Sequence, residues 1–140
     1  MSKVAVVYWS GTGNTEAMAD AVKLGAAGAG ASVSVLGPSD FDASKVADYD
    51  AIAFGCPAMG AEVLEEDEFD PMWQDVKGAL SGKTIALFGS YGWGDGEWMR
   101  SWEDEARAAG ATLAVDSVLA NEAPDDDALA ACKALGAALA

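Results

Sequence analysis

Ser10, Thr12, Asn14 and Thr15 supply four polar side chains within the segment Tyr8-Trp9-Ser10-Gly11-Thr12-Gly13-Asn14-Thr15-Glu16. The segment follows an apolar run, Val4-Ala5-Val6-Val7, and opens onto a helical pattern. A strand therefore ends in a loop of small and hydroxylated residues, and a helix begins. Such a junction presents backbone N–H groups and the positive end of a helix dipole to an anion. No Lys or Arg lies in the loop. The triphosphate pattern Gly-x-x-x-x-Gly-Lys-Ser/Thr is absent, and so is the dinucleotide pattern Gly-x-Gly-x-x-Gly. What is left is a loop shaped for one terminal phosphate held by neutral donors. An ordinary turn with a Thr or Asn helix cap would read the same in isolation. Two further loops shift the balance.

Those loops are Gly55-Cys56-Pro57-Ala58-Met59-Gly60-Ala61-Glu62 and Gly89-Ser90-Tyr91-Gly92-Trp93-Gly94-Asp95-Gly96. Each follows a strand of buried type, Ala51-Ile52-Ala53-Phe54 and Thr84-Ile85-Ala86-Leu87-Phe88. In a parallel sheet all three loops gather at the carboxyl end, where open α/β folds bind ligands. One loop offers Met59 and the other Trp93, each next to Gly. A flat aromatic ligand clamped there would gain sulfur–aromatic contact and ring stacking. A phosphate in the first loop and a flat ring between the other two describe FMN.

With these residues in place, the chain resembles the short-chain flavodoxins of the clostridial type. The resemblance rests on Tyr8 to Thr15, Cys56 to Gly60 and Phe88 to Gly94, and it extends over essentially the whole chain. It implies a doubly wound α/β fold: five parallel strands in the order 2-1-3-4-5, with helices on both faces. It implies FMN contacts from Ser10, Gly11, Thr12, Gly13, Asn14 and Thr15 on the phosphate. Around the ring it implies Pro57, Ala58, Met59, Gly60, Ala61 and Glu62. From the fourth strand onward it implies Ser90, Tyr91, Gly92 and Trp93. Met59 would cover one flavin face, Glu62 would accept from the flavin N3–H, and Ser90 would close the phosphate site. The Gly60–Ala61 peptide would turn its carbonyl toward flavin N5 on reduction. Ala61 departs from the polar or acidic residue that relatives commonly carry there, which bears on redox tuning rather than on binding. Trp9 is expected beneath the phosphate loop, and Asn121 lies in the segment similar to the family's last loop.

The function implied is a low-potential electron carrier with noncovalent FMN, working between semiquinone and hydroquinone. It would take one electron at a time from a reductase and pass it to an acceptor protein, as a monomer and not as an enzyme. Flavin chemistry needs no acid, base or nucleophile from the protein. The rival reading is an FMN-dependent NAD(P)H or quinone reductase on the same fold, which would need a second substrate pocket. A receiver-type regulatory domain would need a phosphorylatable Asp after the third strand, where this chain has Gly55-Cys56-Pro57.

Composition sets the setting. The 140 residues suit a single FMN-binding domain spanning 1–140. The first strand starts at Lys3, leaving no room for a signal peptide, so a cytoplasmic protein is expected. Net charge is −15 with no His. That disfavours nucleic acid and anionic membranes and favours partner proteins with basic surfaces. Acids cluster from Glu62 to Asp70, around Asp95 and Glu97, and from Glu122 to Asp127. Flavin tuning, partner attraction, solubility and salt adaptation would each produce such clusters. Cys56 and Cys132 make neither a disulfide framework nor a metal site and read as small core residues.

The elements that must position the loops alternate strand and helix. Strands are expected at Lys3 to Tyr8, Ser32 to Leu36, Ala51 to Phe54, Thr84 to Phe88 and between Thr112 and Leu119. The second, with Ser32 and Ser34 alternating, suits a sheet edge. Helices are expected from near Asn14, around Pro71 to Val76, from about Glu97, and after Asp125 to Asp127. The stretch from Gly37 to Asp50 carries only a weak helical pattern. Trp73, Trp98 and Trp102 sit at core positions of their helices, whereas Trp93 lies between two glycines in a loop.

Overall fold

The computed structural model describes residues 2–11, 13–59, 63–92, 94 and 96–140. Its elements run β1 (Lys3–Tyr8), α1 (Asn14–Gly28), β2 (Ser32–Leu36), β3 (Ala51–Gly55), α2 (Phe69–Val76), β4 (Thr84–Tyr91), α3 (Glu97–Ala108), β5 (Thr112–Leu113), β6 (Val118–Asn121) and α4 (Asp126–Leu139). The weak stretch after β2 forms two short 3-10 segments, Pro38–Asp40 and Ala43–Asp48. All strand pairs are parallel. The order is β2-β1-β3-β4-β5, with β6 also paired to β4.

The expected fifth strand is thus two segments. β5 pairs with β4 through Thr84↔Thr112 and Ile85↔Leu113. The Ala114 N–H still reaches the Ile85 carbonyl, 2.9 Å away. The chain then leaves the sheet at Asp116-Ser117, residues that fit a pleated surface poorly. The Ser117 hydroxyl instead donates to Glu103 Oε2 on α3, 2.7 Å away. β6 rejoins β4 from Phe88↔Val118 to Tyr91↔Asn121. That pairing carries β4 three residues past its expected end at Phe88, so Gly89, Ser90 and Tyr91 are strand and not loop.

Alternation along the strands divides two cores. Val4, Val6, Ala53, Ala86 and Phe88 face the layer of α1 and α4. Ala5, Val7, Ile52, Phe54, Ile85 and Leu87 face α2 and α3. The second core is aromatic. Phe54 meets Trp73 edge-on at 5.4 Å, Trp73 meets Trp102 at 5.8 Å, and Trp102 meets Phe69 at 5.5 Å. Edge-to-face contacts of this kind add to plain burial. The first core is built on small residues and a close helix crossing. A Cβ on Gly25 would lie 1.9 Å from the Lys133 carbonyl oxygen, and one on Gly136 would lie 2.0 Å from that of Val22. Only hydrogen fits at either position.

Cys56 and Cys132 are fully buried, as their positions suggested. Burial pushes both thiols up to about 12. They are protonated and inert at neutral pH.

Candidate functional site

The carboxyl ends of β1, β3 and β4 meet at a cavity of about 330 Å³. That lies within the range of small-molecule and cofactor sites. Most of its lining comes from the ends of these three strands and the residues just beyond them. Trp9, Gly11 and Asn14 follow β1, Pro57, Ala58 and Met59 follow β3, and Ser90, Tyr91 and Gly92 end β4. A larger groove, of about 600 Å³, lies along α4. Its lining comes from β6, the segment before it and α4, without the three convergent strand ends of the smaller cavity.

The first loop is built around Ser10. Its Oγ accepts hydrogen bonds from the N–H groups of Gly13, 3.1 Å away, and Glu16, 3.2 Å away. Ser10, four residues upstream, therefore does the capping expected of Thr or Asn. With both bonds accepted, its own hydroxyl proton remains to be donated. Gly13 is the residue before α1, at φ 93°, a left-handed conformation that needs no Cβ. The first-turn N–H groups of Asn14 and Thr15 have no partner within the helix and point out of its N-terminus.

Thr15 is 1% exposed and Ser90 4%. Their hydroxyl oxygens are 3.1 Å apart. The bond between them uses one of two protons, so the pair has another to give. This hydroxyl pair ties the start of α1 to the end of β4. Ser90 reaches it because β4 extends past Phe88.

The second loop is stitched along β4 and capped from behind. The N–H of Cys56 donates to the Phe88 carbonyl, and that of Ala58 donates to the Ser90 carbonyl. Trp98 Nε1 donates to the Cys56 carbonyl, 3.2 Å away. Tyr91 rests on the Trp98 ring with centroids 5.5 Å apart. Trp98 is a core residue, as its helical spacing suggested, but it also positions both ring-side loops. Met59 N–H donates to the Val63 carbonyl at 2.9 Å.

Glu65 is the main surprise. It belongs to the acidic cluster from Glu62 to Asp70, yet it is only 5% exposed. Its Oε2 accepts from Asp67 N–H at 2.8 Å. Its Oε1 accepts from Glu68 N–H at 2.7 Å and Phe69 N–H at 2.8 Å. The carboxylate thereby caps α2. Burial alone would raise its pKa, but the three N–H groups of Phe69, Glu68 and Asp67 outweigh burial and lower it.

Glu122 lines the cavity too, and the sequence reading did not include it. It has φ 57°, the one positive value outside glycine among the described residues. Its N–H bonds the Tyr91 carbonyl at 2.7 Å. Only its place in an acidic run marked it in the sequence. The side chain of Asn121 is 3.4 Å from the Tyr91 carbonyl oxygen.

Gly11, Asn14, Pro57, Ala58, Met59, Ser90, Tyr91 and Gly92 thus line one cavity, with Ser10, Gly13 and Thr15 in its supporting loop and helix. Thr12, Gly60, Ala61, Glu62 and Trp93 lie outside the described residues. Among the described lining residues there is no Lys or Arg. Apolar walls at Trp9, Ala58, Met59 and Tyr91 suit a flat ring. Neutral hydroxyls and a helix N-terminus suit a phosphate. The donor set therefore fits FMN.

Comparison with known proteins agrees. The flavodoxin family model matches residues 6–136. The chain is 46% identical to the flavodoxin of Megasphaera elsdenii over 137 residues, covering 98% of both chains. It is 43% identical to that of Clostridium beijerinckii over 121 residues, covering 86% of this chain and 88% of the relative. The solution structure of two-electron reduced Megasphaera elsdenii flavodoxin superposes with a TM-score of 0.89 over 97% of each chain. Sheet order, three converging loops and these identities place the chain in the flavodoxin family, the FMN-dependent electron carriers.

Proposed function

We propose that this chain is a one-electron carrier that holds noncovalent FMN in the cavity between its three loops. The observation that carries the reading is the cavity itself: apolar walls for a ring, closed at one end by uncharged donors. The 140 residues act as one FMN-binding domain. Ser10 to Thr15 and Ser90 hold the phosphate, with Thr15 and Ser90 sharing one proton and offering another. Pro57 to Glu62 and Tyr91 to Trp93 flank the ring. Met59 and Trp93 cover its faces, and Glu62 accepts from N3–H. When bound, FMN supplies the electron-transfer chemistry, cycling between semiquinone and hydroquinone. The side chains bind, orient and set the potential, and none acts as acid, base or nucleophile. The net charge of −15 suits reductases and acceptors with basic surfaces. Among the described residues no helix is long and apolar enough to cross a membrane. The carrier works as a cytoplasmic monomer, its copies kept apart by their shared negative charge.

The test is affinity for FMN against riboflavin. Loss of several charge-assisted hydrogen bonds, at roughly 1.5–3 kcal/mol each, should weaken riboflavin binding by orders of magnitude. Ser90→Ala should weaken FMN binding and leave riboflavin binding nearly unchanged. Equal affinities for the two flavins would remove Ser10 to Thr15 from the site. Rapid turnover of NAD(P)H and a quinone without a partner protein would replace the carrier reading with a reductase.

A further inference from the structure

We propose that the groove along α4 docks a cationic amphipathic segment of the redox partner; the partner being a redox protein rests on the carrier reading above. The groove exists because the last strand is interrupted. The chain leaves the sheet between β5 and β6, so the apolar residues on that side are not fully covered. Val115, Val118, Leu119 and Leu135 form the floor. Leu119 is 38% exposed, one of few large apolar side chains so open among the described residues. The rim is acidic: Asp116, Asp125 and Asp127 line it, and none of its lining residues is a cation. From Asp127 to Leu135 the groove follows α4 for about 12 Å, the length of roughly two helical turns.

Charge selects the occupant. A second copy of this chain carries the same −15 and is repelled. An anionic lipid surface is repelled likewise. A segment with apolar residues on one side and Lys or Arg on the other satisfies both floor and rim. Location adds a purpose. Asp125 on the groove and Glu122 on the cofactor cavity are three residues apart in the chain. A partner anchored here would sit beside the cavity on its α4 side, away from the loop at Pro57 to Met59. The groove would then hold the partner's orientation while the ring edge remains accessible.

The test uses the purified protein with any bound flavin oxidised, so the outcome does not depend on electron transfer. Two peptides of 12 residues are titrated and followed by amide chemical shifts. One has Leu on one helical face and Lys on the other; the second has every Leu replaced by Ser at the same charge. The amphipathic peptide should bind at least tenfold more tightly, with shifts concentrated at 115–119 and 127–135. Ala131→Arg, which places bulk and positive charge in the groove, should weaken it tenfold or more. Ala27→Arg, an equal charge on the exposed face of α1, should change it less than twofold. Equal binding of the two peptides, shifts centred elsewhere, or equal effects of the two variants would overturn the proposal. So would concentration-dependent shifts at 115–119 in the protein alone, which would assign the groove to a second copy.

Discussion

Glu65→Ala should destabilise the protein by about 2–4 kcal/mol, and the difference should fade in acid. Its carboxylate accepts three backbone N–H groups at 2.7–2.8 Å. Bonds to a charged acceptor contribute roughly 1.5–3 kcal/mol each, but they do not add, and burying the carboxylate offsets part of the gain. Asp67 and Glu68 are exposed, so water can replace their partner. Phe69 is fully buried, and its N–H would be left unpaired at a cost of about 1–3 kcal/mol. Adding an ordinary cap loss of about 1 kcal/mol gives the range stated. Glu65→Gln should cost less. Its amide oxygen, placed at Oε1, can still accept from Glu68 and Phe69, while its NH₂ would face the Asp67 N–H, donor against donor.

The pH dependence follows from the direction of the pKa shift. The folded-state pKa of Glu65 is lowered. Its ionised form therefore contributes stability that is complete above the unfolded value, about 4.3. That stability is lost as pH falls through the lower folded value. Urea unfolding of the apoprotein, followed by Trp fluorescence at pH 7 and at several points below pH 4.5, measures it. Comparing wild type with Glu65→Gln at each pH cancels the background change in net charge. A Glu65→Ala loss under 0.5 kcal/mol, or a Gln difference that does not shrink in acid, would refute the reasoning. FMN affinity should fall in parallel, because the cap anchors the segment whose Val63 carbonyl holds the Met59 N–H.

Gly136→Ala should lower stability by about 1–2 kcal/mol although Ala favours helices, because its Cβ would lie 2.0 Å from the Val22 carbonyl oxygen; a raised Tm would show that α1 and α4 can separate freely. Replacing Glu62 and Glu66 by Gln, or adding salt, should raise the potential of the second electron, since less negative charge then opposes an anionic reduced flavin; a potential indifferent to both would leave those acids to solubility. Gly60→Ala should lower the potential of the first electron by roughly 40 mV, the equivalent of about 1 kcal/mol, if that turn requires positive φ at its first central residue when reduced. Dithionite titration of both proteins checks it, and an unchanged separation of the two potentials would reduce Gly60 to mere close approach.

Much of this molecule was legible in the chain. The apolar runs at Val4 to Val7, Ala51 to Phe54 and Thr84 to Phe88 marked parallel strands, because a strand buried on both faces has no polar alternation. Three glycine-bearing loops after three such strands had to converge, because parallel strands end on one side. Their residue types then named a phosphate and a flat ring. Other features depended on contacts between distant residues. β4 runs on to Tyr91 because β6 pairs with it, and that pairing brings Ser90 to Thr15. Ser10 caps α1 although Asn14 and Thr15 look like better caps, because the loop folds its oxygen over two N–H groups. Glu65 resembles its acidic neighbours in sequence, and only burial beside three N–H groups makes it a helix cap. The acidic stretch told the chain's charge; the tertiary structure decided which acid is structural, because desolvation and hydrogen bonding depend on what lies around a side chain and not on what precedes it.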